Sequence, residues 1–187
     1  MNERLFLAFP IAGNLLQSSL DWQAGHGAWP ARWLPAEALH LTLVAPWAET
    51  DQAAVVAKLA EFASSDLAAE IFRQPIEVEF SRIAFGPHRF APRLIWAEGR
   101  APVALLELKN RLEQAVARPD HRYYRLHLTL ARFDPAEWLA QQGLTVLPEL
   151  SEPISWPARF SGFALYRSVF WPDRVEYVKI KEFAPSL

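Results

Sequence analysis

Arg4 to Phe9 reads Arg-Leu-Phe-Leu-Ala-Phe, a short apolar run that predicts a buried strand, and Pro10 ends it. Leu15, Leu16, Leu20 and Trp22 form a rough helical stripe over Gly13 to Gln23. Gly25, Gly27 and Pro30 mark a loop, and Arg32 to Pro35 reads as extended. A strand follows over about Leu39 to Ala45, closed by Pro46. Thr50 or Asp51 caps a helix running to about Ala69, with Val55, Val56, Leu59, Phe62 and Ala63 on its apolar face. Ile76, Val78 and Phe80 alternate with Glu77 and Glu79, which predicts a strand to Phe85. Gly86-Pro87 makes a turn, and Leu94 to Ala97 returns as the second strand of a hairpin.

Pro102 stands at a helix start, and Val103 to Val116 carries Leu105, Leu106, Leu108 and Leu112. A strand is predicted over about Arg125 to Phe133, and Asp134-Pro135 opens a short helix with Trp138 and Leu139. Ile154 to Trp156 begins a strand, and Phe160 to Ser168 reads as another. Val175 to Phe183 alternates as a final hairpin strand, with Val175, Tyr177, Lys179 and Lys181 on one face. Hairpins interleaved with helices predict antiparallel sheets and an α+β class, not a doubly wound parallel sheet. No linker is rich enough in Gly or Ser to divide the chain, so residues 1–187 are expected to form one bilobal domain.

Within this pattern one tetrapeptide occurs twice: His40-Leu41-Thr42-Leu43 and His127-Leu128-Thr129-Leu130. In a strand, residues i and i+2 share a face, so each His and Thr would point one way and the leucines toward a core. Each half of the chain has one helix before its copy. Two pseudo-symmetric lobes facing one another across a groove would bring the copies together. Two imidazoles titrating near pH ~6.5 can serve as base and acid, and two hydroxyls can hydrogen-bond phosphate oxygens. That arrangement requires no metal and no cofactor. The bland alternative, a buried strand with a hydrogen-bonded His, suits one copy far better than two.

Composition narrows the classes. The 187 residues are 51% hydrophobic and 13% aromatic, which predicts a globular protein, not a disordered one. The formal net charge of -2 does not announce a polyanion binder, so affinity for phosphate must come from a local patch. The chain has no Cys, which excludes disulfides, thiolate metal sites and a Cys nucleophile. Seven Gly supply no phosphate-cradling loop. Met1 to Pro10 is neither a signal peptide nor a membrane span, and a cytoplasmic location is expected. No heptad pattern demands a partner, and a monomer is expected.

Arg118, His121, Arg122, Tyr123, Tyr124, Arg125 and Arg132 crowd the second copy, with Asp120 as counter-charge. Cations suit a phosphate and aromatics a base. Arg132 lies five residues after His127. In a regular strand it would face away, and it reaches the site only through a bulge, a strand end or its long stem. His26 and His88 have no partner at metal-ligand spacing and read as surface residues. Trp47 reads as core or groove-wall packing.

The paired motifs resemble those of the 2H phosphoesterases, and among them the LigT-like RNA 2′,3′-cyclic phosphodiesterases (ThpR). The likeness extends over nearly the whole chain. Arg4 to Ala8 looks like the family's first strand, and Arg32-Trp33-Leu34-Pro35 through Leu43 looks like its approach to the first motif. His127 to Arg132 looks like its second motif, and Phe163 to Ser168 with Tyr177-Val178 looks like its closing hairpin. The resemblance implies a bilobal α+β fold with both motifs in a central groove. It implies metal-independent hydrolysis of a terminal 2′,3′-cyclic phosphate on RNA to a 2′-phosphate, with 2′-5′ RNA ligation as a related activity. It further implies His127 as base, His40 as acid, and Thr42, Thr129 and Arg132 at the phosphate; Tyr124 and Arg125 are added as candidates from their position. The near-symmetry of the motifs leaves the order of acid and base open. Val44-Ala45-Pro46-Trp47 and Arg122 to Leu126 depart from the family's flanks, so the pocket around the phosphate is expected to be reshaped.

Two alternatives keep the same residues. One is a phosphodiesterase of small cyclic nucleotides or an ADP-ribose cyclic phosphate, which the slightly acidic net charge favours. The other is a nucleotide- or RNA-binding module without turnover, which has no need of a matched acid and base.

Overall fold

The computed structural model describes residues 3–88, 90–171 and 175–185. Its strands are β1 Glu3–Pro10, β2 Arg32–Trp33, β3 His40–Trp47, β4 Ile76–Gly86, β5 Leu94–Gly99, β6 Leu126–Arg132, β7 Ser151–Phe160, β8 Phe163–Phe170 and β9 Val175–Phe183. Its helices are α1 Gly13–Gly25, α2 Gln52–Ala63, α3 Asp66–Ile71, α4 Val103–Ala115 and α5 Pro135–Gln142. Among the described residues the strands form two antiparallel sheets, ordered β3-β1-β8-β9 and β2-β6-β5-β4-β7. This is the α+β, two-lobed arrangement that the sequence predicts.

The lobes repeat one plan. Each His-x-Thr strand pairs with the strand that precedes it through a helix: β3 with β1 across α1, and β6 with β5 across α4. The continuous apolar run of β1 has a physical reason. Leu5, Leu7 and Phe9 enter the main core, while Phe6 and Ala8 enter a second cluster with Ala164 and Tyr166 on the other face. The main core runs through both lobes, joining Leu7 and Leu41 to Ile95 and Leu128. Fully burying a side chain of this size stabilises a fold by about 1.5–3 kcal/mol.

Several boundaries differ from expectation. Pro46 does not end β3, which continues to Trp47. β3 lies at the edge of its sheet, where a missing N–H is tolerated. The helix expected to reach Ala69 is two helices. Asp51 caps α2 by accepting from Ala54 N at 2.9 Å, and Ser65 caps α3 by accepting from Ala68 N at 3.2 Å. β7 is far longer than Ile154 to Trp156. It is an edge strand carrying Pro153 and Pro157, and these prolines hid its alternation. β8 begins at Phe163, and β9 shifts register at Ile180, which breaks the alternation read from the sequence.

The register irregularities that matter most lie in the motif strands. On β1 and β3, Leu7 pairs with Val44 and Ala8 with Thr42, so Leu43 is an extra residue. On β5 and β6, Ile95 pairs with Ala131 and Trp96 with Thr129, so Leu130 is extra. Both bulges fall three residues after the histidine. The one in β6 is held by two donors: Leu34 N reaches the Leu130 carbonyl at 2.9 Å, and buried Gln23 Nε2 reaches it at 2.9 Å. Gln23 Nε2 also reaches the Leu34 carbonyl at 3.0 Å, tying α1 to β6 and to the segment just after β2. Replacing Gln23 by Leu removes a donor from two buried carbonyls. The unfolding free energy is expected to fall by about 1–3 kcal/mol in an equilibrium urea titration, and an unchanged midpoint would contradict this bracing role.

Candidate active site

His40 and Thr42 on β3 and His127 and Thr129 on β6 are half-buried, while Leu41, Leu43, Leu128 and Leu130 are buried in the core. The face shared by His and Thr in each strand follows from the period of two. The edges of β3 and β6 lie side by side, and Tyr124 Oη donates to the Thr42 carbonyl at 2.7 Å across the junction.

Each imidazole is anchored in the same way. His40 Nδ1 lies 2.8 Å from the Ala38 carbonyl, and His127 Nδ1 lies 2.8 Å from the Arg125 carbonyl. A carbonyl only accepts, so Nδ1 carries the proton in both rings and the lone pair of neutral imidazole sits on Nε2. Each ring also has an aromatic support. His40 packs on Phe6 at 4.8 Å and against the edge of Tyr177 at 4.8 Å, and His127 lies 4.5 Å from Trp96. A Cβ at Gly86 would overlap the Trp96 indole, so glycine is what lets that ring lie where it does.

Electrostatics separate the two rings. Burial holds the His40 pKa down at about 4. The Ala38 carbonyl opposes this, while His127 and Arg132 add to it. His127 is also lowered, mainly by burial. The Arg125 carbonyl raises it, the Arg125 charge lowers it, and Glu98 raises it. Glu98 is the residue directly opposite His127 in the β5–β6 ladder, and its carboxylate is shared by Arg82 and, at 3.3 Å, by Arg125.

Arg132 faces the groove despite its odd spacing from His127. The extra Leu130 returns it to the His/Thr face, and its Nη2 lies 3.1 Å from Tyr177 Oη. The same offset in β3 falls on Ala45, so the lobes are matched in histidine and threonine and unmatched in this cation.

The other basic residues have partners of their own. Arg125 donates to the Pro87 carbonyl at 2.9 Å and lies 4.9 Å over the Trp96 ring, beside His127. Arg122 pairs with Asp120 at 2.6 Å, and this guanidinium holds the Asp120 carboxyl down at about 2. Arg118 pairs with Glu49 at 3.4 Å. Tyr124 braces the lobes through its hydroxyl, and burial pushes its pKa up.

Trp47 lies in the main core, and His88 is exposed as expected. His26 corrects the surface reading. It is half-buried, stacked on Trp22 at 3.9 Å, with its Nδ1 2.7 Å from the Trp22 carbonyl. Glu98, Trp96, Phe6, Tyr177 and Gln23 join the site's surroundings through strand pairing, a signal that no local motif carries. Among the described residues, no three His, Asp or Glu side chains converge as a metal-ligand set, and no helix is long and apolar enough to cross a membrane.

Known structures share this fold. TT0787 of Thermus thermophilus has a TM-score of 0.72 at 21% identity, with 97% of each chain covered. E. coli LigT complexed with 3′-AMP has a TM-score of 0.67 at 23% identity, with 100% of each chain covered. E. coli LigT complexed with ATP has a TM-score of 0.64 at 25% identity, with 99% of each chain covered. No curated protein sequence matches the chain. A family model described as the 2′-5′ RNA ligase superfamily matches residues 21–169, a span that contains both His-x-Thr strands. The chain belongs to the 2′-5′ RNA ligase superfamily.

Proposed function

We propose that the protein is an RNA 2′,3′-cyclic phosphodiesterase that opens a terminal cyclic phosphate to a 2′-phosphate without a metal ion. Membership in the superfamily supports chemistry at a phosphodiester bond. The observation that carries the finer reading is the matched anchoring of His40 and His127, each with Nδ1 on a backbone carbonyl and Nε2 left for chemistry. The RNA-end reading also draws on LigT, a similar structure that holds 3′-AMP.

The reaction needs one proton removed and one delivered. In the order implied by the family resemblance, His127 Nε2 takes a proton from water as its oxygen attacks phosphorus. The bond to the 3′-oxygen breaks, and His40 Nε2–H protonates that oxygen. Thr42 and Thr129 hydroxyls donate to non-bridging oxygens, and Arg132 compensates the charge that builds on them. His40 must then be protonated in the complex. Burial and Arg132 disfavour that in the free protein, so the bound phosphate anion supplies the opposing charge.

His40→Ala and His127→Ala are each expected to lower kcat by about 10²–10⁴-fold, with an unchanged circular dichroism spectrum. A folded single variant with near-parental turnover would sink the two-histidine mechanism.

The pH dependence has a definite sign. Activity needs one imidazole charged and one neutral. In the free protein both pKa values are lowered from 6.5, one of them to about 4. The maximum of kcat/KM is therefore expected on the acid side of pH 6.5, with activity falling toward pH 8 as the remaining proton is lost. A maximum above pH 7.5 would contradict this assignment.

The direct test is a short RNA ending in a 2′,3′-cyclic phosphate, incubated with the protein and EDTA, with 2′- and 3′-phosphate products resolved. A 2′-phosphate product is expected. Absence of reaction by folded protein overturns the reading.

A further inference from the structure

The two carbonyls that anchor the histidines are held by different means. The Ala38 carbonyl, which fixes His40, ends a short 3-10 turn over Ala36–Ala38. That turn is closed by its own backbone, with Ala38 N donating to the Pro35 carbonyl at 2.9 Å and Leu39 N to the Ala36 carbonyl at 3.2 Å. The Arg125 carbonyl, which fixes His127, belongs to neither helix nor strand. Residues 118–125 lead from α4 to β6 without regular structure, and the β5–β6 ladder starts one residue later, at Leu126 opposite Gly99.

The side chain of Arg125 ties this residue back to the sheet. Its guanidinium donates to the Pro87 carbonyl at 2.9 Å, lies 4.9 Å over the Trp96 ring and donates to Glu98 Oε2 at 3.3 Å. Arg82, Glu98 and His127 are register neighbours in one line across β4, β5 and β6. Side chains in such a line share a face and meet. Glu98 is itself fixed there: its Oε1 accepts from Arg82 Nε at 3.0 Å, and its side chain is only 14% exposed. With one oxygen on each guanidinium, this carboxylate is committed to holding cations and does not serve as a base. The chain of contacts runs from Arg82 through Glu98 to Arg125, and from the Arg125 carbonyl to His127 Nδ1.

We propose that Glu98 is a positioning residue for His127: by holding the Arg125 side chain on β5, it keeps the Arg125 carbonyl at His127 Nδ1 and the imidazole lone pair on Nε2. A ring released from that carbonyl can carry its proton on Nε2 and then has nothing with which to accept one there. The effect on turnover rests on the cyclic phosphodiesterase reading; the effect on the ring rests on the anchoring geometry alone. His40 is anchored by the backbone turn, so it is a control within the same molecule.

The test is the imidazole tautomer, read from long-range nitrogen–proton correlations by NMR at about pH 8, where both rings are neutral because both pKa values lie below 6.5. The parent is expected to show Nδ1–H in both rings. Glu98→Ala should give a mixture of tautomers at His127 and leave His40 unchanged. With a cyclic phosphate substrate its kcat should fall by about 10-fold, the scale of one orienting hydrogen bond, with KM little altered. Glu98→Gln keeps an oxygen acceptor for one arginine and should retain part of both properties. A His127 tautomer unchanged in Glu98→Ala overturns the inference, as does a change shared equally by both rings or an unchanged kcat. Absence of turnover by the folded parent overturns the cyclic phosphodiesterase reading instead, and the tautomer comparison still decides the role of Glu98.

Discussion

The groove depends on an extra residue three positions after the histidine of each motif strand, although β3 has a second register shift before Trp47. A regular strand can bury its leucines and present His and Thr on the other face, but it alternates without pause. The bulges at Leu43 and Leu130 reset that alternation three residues after each histidine. In β6 the reset carries Arg132 onto the same face as His127 and Thr129. In β3 it carries Ala45, which has no chemistry. A nearly two-fold fold thereby carries an arginine on this face in one lobe and an alanine in the other. The β6 bulge leaves the Leu130 carbonyl off the regular ladder, and Gln23 and Leu34 supply its hydrogen bonds from outside the strand pair. The position of the arginine thus traces back to a glutamine on α1, more than a hundred residues earlier in the chain.

The second constraint is the cost of burying an imidazole. Both rings sit where a positive charge is poorly solvated, and both are held in one tautomer by a carbonyl two residues back. Burial therefore favours the neutral form of both rings in the free protein. Glu98 and Arg125 act on His127, and Arg132 acts on His40, so rings with the same anchoring meet different charges.

Much of this was legible in the sequence, and the boundary of legibility has physical causes. The two His-x-Thr strands, their inward leucines and the helix before each are local patterns, and local patterns survive in one dimension. The caps of α3 and α5 are equally local, although Ser65 was hidden inside a longer apolar stripe. The edge strand β7 was obscured because proline speaks against a strand unless the missing N–H faces open space, and edge status is a property of the sheet. Glu98, Trp96 and Gln23 were silent for a related reason. Their relevance is created by the pairing of β5 with β6 and by the packing of α1, contacts that span 29 to 107 residues of sequence.

The same reasoning bears on Arg125 and Tyr124, which the sequence put forward as phosphate contacts. Tyr124 commits its hydroxyl to the Thr42 carbonyl, so it holds the lobes in register. Arg125 lies along Trp96 with its guanidinium on Glu98 and the Pro87 carbonyl, so it supports the floor beneath His127. Both act on the distance and orientation between the two imidazoles. An in-line displacement requires the base and the acid on opposite sides of one phosphorus atom, and each histidine here belongs to a different sheet. Contacts that fix one sheet against the other therefore hold the two imidazoles in relation to one another, a role open to Tyr124 and Arg125 beside the phosphate contact that the sequence leads one to expect of them.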